Sequence, residues 1–389
     1  MSQKLRAGLI GAGFIGPLHM EAVRRLGYVE IAALAETNMD LARRKADQLN
    51  IPKAYAGHEE LLADPDIDVV HTCTPNFLHY PVVMDALKAG KHVICDKPLA
   101  LTAREAREMR DAARAAGVVN AVVYNYRFNP MVQQARAMIA GGEVGDVRFV
   151  HGHYLQDWLF YETDFTWRLE ADKGGDAGAI GDIGSHWCDT AQFMTGLKIE
   201  RVFADLTTAI PVRKKPLAGR EAFASGASDE QFEDFHVSSE DLGTVLLRFE
   251  NGARGVFSVG QVCAGHKNDQ RVEVNGSKAS LGWVQEEPNK LWVGYRDRHN
   301  LAMTRDPGLL GEAARPYVNL PGGHPEGWSE AFKNLMSNFY SFIAGKKDPV
   351  KEADGINFPT FEDGYHSCCV IEAIIKSHRE GGWVDVTCP

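Results

Sequence analysis

The segment Gly11-Ala-Gly13-Phe14-Ile15-Gly16 comes directly after the apolar pair Leu9-Ile10 and opens a helical pattern. A strand, a glycine-rich loop and a helix in that order leave the chain few folds to choose from. The first glycine permits the tight turn, and the second lets a pyrophosphate approach the backbone. The third allows close helix–strand packing, with the helix N-terminus turned to the phosphates. GxGxxG alone is a weak signal, because short glycine loops arise without any ligand. Here a second feature supports it. Glu36 lies 20 residues after Gly16, at the end of the next apolar strand. A carboxylate there accepts hydrogen bonds from an adenosine ribose and repels a 2′-phosphate, so NAD is expected in preference to NADP. Arg43 and Arg44 are placed in solvent by their helix spacing.

The same rhythm continues through the first 125 residues. Strands are expected at 6–10, 30–35, 69–73, 92–95 and 120–124. Helices are expected at about 15–26, 40–49, 79–89 and 103–116. Strand–helix alternation with short connections predicts right-handed crossovers and a parallel sheet covered on both faces. Beyond about residue 145 longer strands follow without helices between them, at 147–154, 244–250, 255–262, 270–274 and 291–295. Glu250-Asn251-Gly252 and Asn275-Gly276 are turn signals for antiparallel hairpins. A helix over 179–195 precedes most of these strands, and two more, at 328–343 and 361–377, follow them. Residues 211–233 read as a surface loop. The pattern predicts a doubly wound domain followed by an open, largely antiparallel α+β domain.

Charge and composition exclude several classes. With 42 Lys and Arg against 52 Asp and Glu, the 389-residue chain carries a net −10. The basic runs at 43–45 and 213–215 are only three residues long, so no nucleic-acid partner is expected. No apolar stretch reaches 18 residues, so no membrane span is expected. The start of the chain runs almost at once into a strand and leaves no room for a signal peptide. The seven cysteines are odd in number, and none is spaced CxxC. They read as reduced thiols of a cytoplasmic protein with no metal site.

Three further segments carry chemistry. Thr74-Pro75-Asn76, with His79, follows a strand end, where ligands of open parallel sheets bind; its plainer reading is a turn before a helix. Asp96-Lys97-Pro98 follows another strand end. A lysine there stabilises the alkoxide that forms as hydride leaves a carbinol; its plainer reading is a solvated side chain. Asp182 and His186 are four apart and project from one helix face. A carboxylate beside an imidazole keeps the ring oriented and near the working range of a general base. The plainer reading is a helix cap and a packed histidine.

Taken together these segments resemble the glucose–fructose oxidoreductase / inositol dehydrogenase / MocA family. The match continues through Gly90-Lys-His-Val-Ile-Cys-Asp96-Lys97-Pro98, Tyr124-Asn-Tyr-Arg-Phe-Asn-Pro130, Trp167-Arg168 and Pro359-Thr-Phe-Glu-Asp-Gly364. The family's Glu-Lys-Pro is Asp96-Lys97-Pro98 here. The resemblance implies an α/β Rossmann domain over 1–125. It also implies an α+β domain over 126–389 with a large open, mostly antiparallel sheet for substrate binding and oligomer contacts, the C-terminal helix packing back on the first domain. It implies Lys97, Asp182 and His186 as the catalytic set. Gly11, Gly13, Phe14, Ile15, Glu36, Thr74, Pro75, Asn76, His79, Asp96, Lys97, Asn125, Trp167 and Arg168 would hold the cofactor. Asn125-Tyr126-Arg127 with Tyr154-Leu-Gln156-Asp-Trp158 is similar to the branch of levoglucosan dehydrogenase and its glycoside-oxidising relatives. In that branch the residues matching Tyr126 and Gln156 contact the sugar, beside Lys97, Asp182 and His186.

The implied activity is oxidation of a secondary hydroxyl of a sugar, anhydrosugar, glycoside or polyol, at C3 in one version, by a homodimer or homotetramer. Trp158, His324 and Trp328 are added as sugar contacts, although Gly322–Trp328 reads more simply as a surface turn. Two rivals share the cofactor: a redox-elimination glycoside hydrolase, and a noncatalytic NAD-bound regulator, which would have no need of Lys97, Asp182 and His186 together. Biliverdin-reductase-type chemistry leaves the Asp182/His186 pair unexplained.

Overall fold

The computed structural model describes residues 4–217 and 231–389. The chain forms two compact units, Met1–Val123 with Phe332–Cys368 and Tyr124–Ala331 with Cys369–Pro389. The first therefore includes a late segment that a linear reading places in the second domain.

Six strands build the sheet of the first unit: β1 (Leu5–Ile10), β2 (Val29–Ala35), β3 (Lys53–Tyr55), β4 (Val69–Thr72), β5 (His92–Cys95) and β6 (Asn120–Val122). Their order is β3-β2-β1-β4-β5-β6, parallel throughout. The direction of winding reverses between β1 and β4, where open α/β sheets bind ligands. Helices α1 (Ile15–Arg24), α2 (Met39–Leu49), α3 (His58–Leu62), α4 (His79–Lys88) and α5 (Ala103–Ala116) make the crossovers. Local chemistry sets their ends. Asn38 caps α2 by accepting from the Leu41 N–H at 2.9 Å, and Thr102 caps α5 from Glu105 at 3.2 Å. The strands are short and apolar because both faces are covered; all four residues of β4 are buried.

Two features explain why residues 332–368 join this unit. The His71 ring on β4 bonds the Tyr340 hydroxyl at 2.6 Å through Nε2 and His19 of α1 at 2.9 Å through Nδ1. Pro359-Thr-Phe-Glu-Asp-Gly364 lies under the strand ends: Val122 N–H donates to the Pro359 carbonyl, and a side chain on Gly364 would collide with Leu99. The late motif thus supports the loop that carries Lys97.

The second unit begins with α6 (Pro130–Ala140), β7 (Val147–Leu155), the single turn α7 (Ala171–Gly174) and α8 (Ser185–Thr195). Strands β8 (Ile199–Thr207), β9 (Val212–Pro216), β10 (Phe232–His236), β11 (Leu242–Phe249), β12 (Arg254–Gly260), β13 (Asp269–Gly276), β14 (Ser280–Val284), β15 (Lys290–Gly294) and β16 (Leu301–Thr304) follow. Helices α9 (Trp328–Ala344) and α10 (Phe361–Glu380), which run across the division between units, and the short β17 (Val384–Asp385) end the chain. The large sheet runs β16-β15-β14-β13-β7-β12-β11-β8-β17. It is antiparallel except for one parallel pair, β7 with β12.

Helix α8 packs on this sheet through Trp187, which is fully buried and stacked on Phe257 at 4.4 Å. Its indole N–H donates to the Arg271 carbonyl at 2.8 Å. That approach requires glycine at 152, where a Cβ would sit 1.9 Å from the same carbonyl oxygen. Burying one such indole is worth about 4–6 kcal/mol as an upper bound.

Besides elements with no expected counterpart, such as β3, α3, α6, β8 and β14, three details differ from expectation. Residues 211–233 contain β9 and the start of β10, which pair with each other; the loop reading for 218–230 lies outside the described residues. Asn275-Gly276 ends β13, and the turn itself is formed by the next three residues. The helix over 179–195 opens with a π-helical turn, Ile180–Gly184. Among the described residues no helix is long and apolar enough to cross a membrane.

Candidate active site

In the first unit the predicted cofactor residues gather at the carboxyl ends of β1, β2, β4 and β5. Gly11 turns with φ 88°, and a Cβ there would meet the Cys73 carbonyl at 2.9 Å. Gly16 lies so close to the Gly11 carbonyl that a Cβ would be 2.4 Å from it, whereas a Cβ on Gly13 meets nothing within 4 Å. The two outer glycines close the loop and the middle one leaves room for a ligand. Helix α1 starts at Ile15, after a half-exposed Phe14 whose side chain makes no capping hydrogen bond among the described residues. The first N–H groups of the helix fit a pyrophosphate.

Glu36 accepts from the Ala12 N–H at 2.7 Å, and Lys45 donates to the Ala12 carbonyl at 2.9 Å. One acid and one base thus hold the same loop residue. His79, fully buried, faces the Pro98 carbonyl through Nδ1 at 2.8 Å and the Thr74 carbonyl through Nε2 at 3.0 Å. It ties the Thr74-Pro75-Asn76 loop to the Asp96-Lys97-Pro98 loop from beneath. Burial holds its ring below the usual imidazole range, against Asp96 and the two carbonyls. The Asp96 N–H donates to the Thr72 carbonyl at 3.0 Å, and Lys97 is partly buried beside it.

The second unit brings together Asn125, Tyr126, Gln156, Asp182, His186 and Arg168. Asp182 sits in the π-helical turn and His186 on the first turn of α8. Glu240 anchors that turn by accepting the Ile180 N–H at 2.8 Å. Burial raises the Glu240 carboxyl above the usual range, opposed by the backbone N–H groups. Gln261 donates to Asp182 at 2.8 Å, and the Arg168 guanidinium lies 3.5 Å from its other oxygen while stacking on Trp167 at 4.5 Å. Trp167 and Arg168, expected as cofactor contacts, are therefore also coupled to the catalytic candidate. The buried His186 ring packs edge-on against Tyr124 and Tyr126, at 5.6 and 5.0 Å between centroids. Asn125 is buried, and its Nδ2 has no hydrogen-bond partner among the described residues.

Arg127 fixes the 125–128 segment against α8, donating to both Asp189 oxygens through Nε at 3.1 and 2.9 Å. Both side chains are largely buried. Arg127→Met would strand the Asp189 carboxylate, and a loss of about 3–5 kcal/mol is expected in chemical denaturation.

Sequence reasoning missed Gln261 and Asn268. Gln261 directly follows β12 and Gln156 directly follows β7, so the two occupy neighbouring carboxyl ends of the one parallel pair. Strand direction, which has no local signal, makes them neighbours. Asn268 lies in an aperiodic connection, and it reaches both Gln156 and Tyr126. His324 is exposed, whereas Trp328 bonds Tyr126.

Two family models match the chain: "Oxidoreductase family, NAD-binding Rossmann fold" over residues 5–124 and "GFO/IDH/MocA C-terminal domain" over residues 132–282. Levoglucosan dehydrogenase of Pseudarthrobacter phenanthrenivorans is 31% identical over 99% of this chain and 98% of its own length. Myo-inositol 2-dehydrogenase of Thermotoga maritima is 28% identical over 71% of this chain and 74% of its own. Among solved structures, levoglucosan dehydrogenase in complex with NADH and levoglucosan superposes with a TM-score of 0.86 at 29% identity, covering 99% of this chain and 100% of that one. An oxidoreductase domain protein from Kribbella flavida gives 0.88 at 33% identity, with 99% and 100% covered.

Proposed function

The chain belongs to the GFO/IDH/MocA family of NAD-binding oxidoreductases, and from that premise we propose that it oxidises a secondary hydroxyl of a sugar, anhydrosugar, glycoside or polyol, with C3 as the reacting carbon. The observation that carries the reading is the setting of Asp182: held by Gln261 and Arg168, in the turn that leads into the buried His186. Two partners on one carboxylate support a role for Asp182 beyond capping a helix.

The residues present fit the cofactor. The open Gly13 position, the start of α1 and Glu36 at the end of β2 would hold the adenosine and pyrophosphate half. The spare Asn125 Nδ2 donor suits the amide of the other half. When bound, NAD supplies a hydride acceptor. In this reading His186 takes the hydroxyl proton and Asp182 keeps that imidazole, or a neighbouring sugar hydroxyl, oriented. The Lys97 ammonium stabilises charge as the alkoxide forms. The same reading includes a homodimer or homotetramer, which light scattering on a sizing column would reveal.

A panel of monosaccharides, disaccharides and polyols, offered with NAD and with NADP, tests the proposal. NADH accumulating in proportion to sugar consumed, with NADP poorly used, is the expected outcome. Cleavage of a glycoside with no net NADH would instead indicate redox elimination.

A further inference from the structure

Two indoles bound a buried polar chain in the second unit, and an indole N–H can only donate. Trp158 donates to Gln156 Oε1 at 2.9 Å. That contact orients the amide, so Nε2 faces Asn268 and donates to its Oδ1 at 2.9 Å. Asn268 Oδ1 also accepts from the Tyr154 hydroxyl at 2.6 Å. Asn268 Nδ2 therefore points the other way and donates to the Tyr126 oxygen at 3.1 Å. Tyr154 has spent its one proton on Asn268. In the 2.8 Å contact between the two phenols, Tyr126 must be the donor. Trp328, the second indole, also donates to the Tyr126 oxygen.

The direction of every contact in the chain is thus assigned. The Tyr126 hydroxyl has given its hydrogen and filled both lone pairs. Gln156 keeps both kinds of spare capacity, one N–H and one lone pair, whereas Asn268 keeps only an N–H and Tyr154 only a lone pair. All of these contacts survive or fail together, because reversing either amide would set two donors or two acceptors face to face.

We propose that Trp158 and Asn268 are positioning residues that set the polarity of the Gln156 amide, so that Gln156 presents one donor and one acceptor to a neutral hydroxyl of the substrate, while Tyr126 offers only its ring. A hydroxyl both accepts and donates and so satisfies Gln156 completely. A carboxylate, as in a uronic acid, meets the amide's lone pair with its own and is disfavoured. This rests on the sugar-oxidising reading above and deepens it.

The test uses the full-length protein with NAD, the best neutral sugar of the panel, its singly deoxygenated analogues and the matching uronate. Wild type should lose at least tenfold in kcat/KM on one deoxy analogue and on the uronate. In Trp158→Phe, which keeps the ring and removes the N–H, KM for the sugar should rise about tenfold with kcat and KM for NAD nearly unchanged. The penalty for that one deoxygenation should collapse in Trp158→Phe, in Asn268→Ala and in Gln156→Ala alike. Asn268→Ala covers the case in which Trp158→Phe fails to fold, and melting curves identify that case. Unchanged discrimination in folded Trp158→Phe or Asn268→Ala overturns the proposal while leaving the sugar-oxidising reading standing. No turnover of any panel member by wild type overturns that reading itself, and the ligand assigned to Gln156 with it.

Discussion

Replacing Lys97 or His186 with alanine is expected to lower turnover by about 10²–10³ while leaving NAD binding intact. The magnitude follows from removing one preorganised donor or one positioned base from a reacting hydroxyl. Intact binding follows from where the cofactor determinants lie: the Gly11–Gly16 loop, its Glu36 and Lys45 contacts and the start of α1 do not depend on the Lys97 ammonium or the His186 ring. Cofactor titration by NADH fluorescence beside steady-state rates separates the two effects. Wild-type turnover in either variant would remove that residue from the assigned set. The pH profile of kcat/KM then distinguishes the base: loss of the acidic limb in the His186 variant assigns proton removal to the imidazole.

The second large effect is one of stability and acts through the histidines buried in the first unit. Burial pulls His71 down to about 3, and burial with the neighbouring His71 holds His19 well below the imidazole range. Both rings are neutral in the folded state, whereas the unfolded chain takes up a proton on each near 6.5. The stability they contribute is therefore full above about pH 6.5 and is lost as the pH falls from there towards 3. For His71 alone, linkage gives about 2 kcal/mol lost by pH 5. Carboxylates act in a lower window. Burial raises Asp64, but Lys53, the Asp66 N–H and Tyr55 outweigh it and bring the carboxyl to about 2, so its share is lost only below about 3.8. Urea unfolding at pH 7 and pH 5 should show the decline, and His71→Asn should lessen it. A wild-type curve equally stable at both pH values would sink the prediction.

Much of this was legible along the chain. The nucleotide half of the site is local: strand, glycine loop, helix and the next strand's acid follow one another within 36 residues, so spacing alone places them. Gly11 and Gly16 meet the steric condition that the loop imposes, while a Cβ at Gly13 would meet nothing within 4 Å. Asp182 and His186 were readable for the same reason, four apart on one segment, although the π-helical turn between them was not. Asn251-Gly252 correctly marked the β11–β12 hairpin. The reading weakened where the pattern did. Residues 212–216 are Val-Arg-Lys-Lys-Pro, charged enough to read as loop, and form a strand because β10 supplies partners.

Gln261, Asn268 and the order of hydrogen-bond donors around Gln156 belong to another category. No spacing rule links residues 126, 156 and 268. Gln156 and Asn268 meet because β7 runs antiparallel to β13, which sets Leu155 opposite Asp269, and strand pairing is a property of the assembled sheet. The same holds for His19, His71 and Tyr340, whose partners lie 52 and 269 residues apart. Short-range backbone sterics and side-chain periodicity write the cofactor loop and the helix faces into the chain itself. Which polar groups share a buried pocket, and so which protons are spent and which are left for a substrate, is settled when distant strands pair and exclude water.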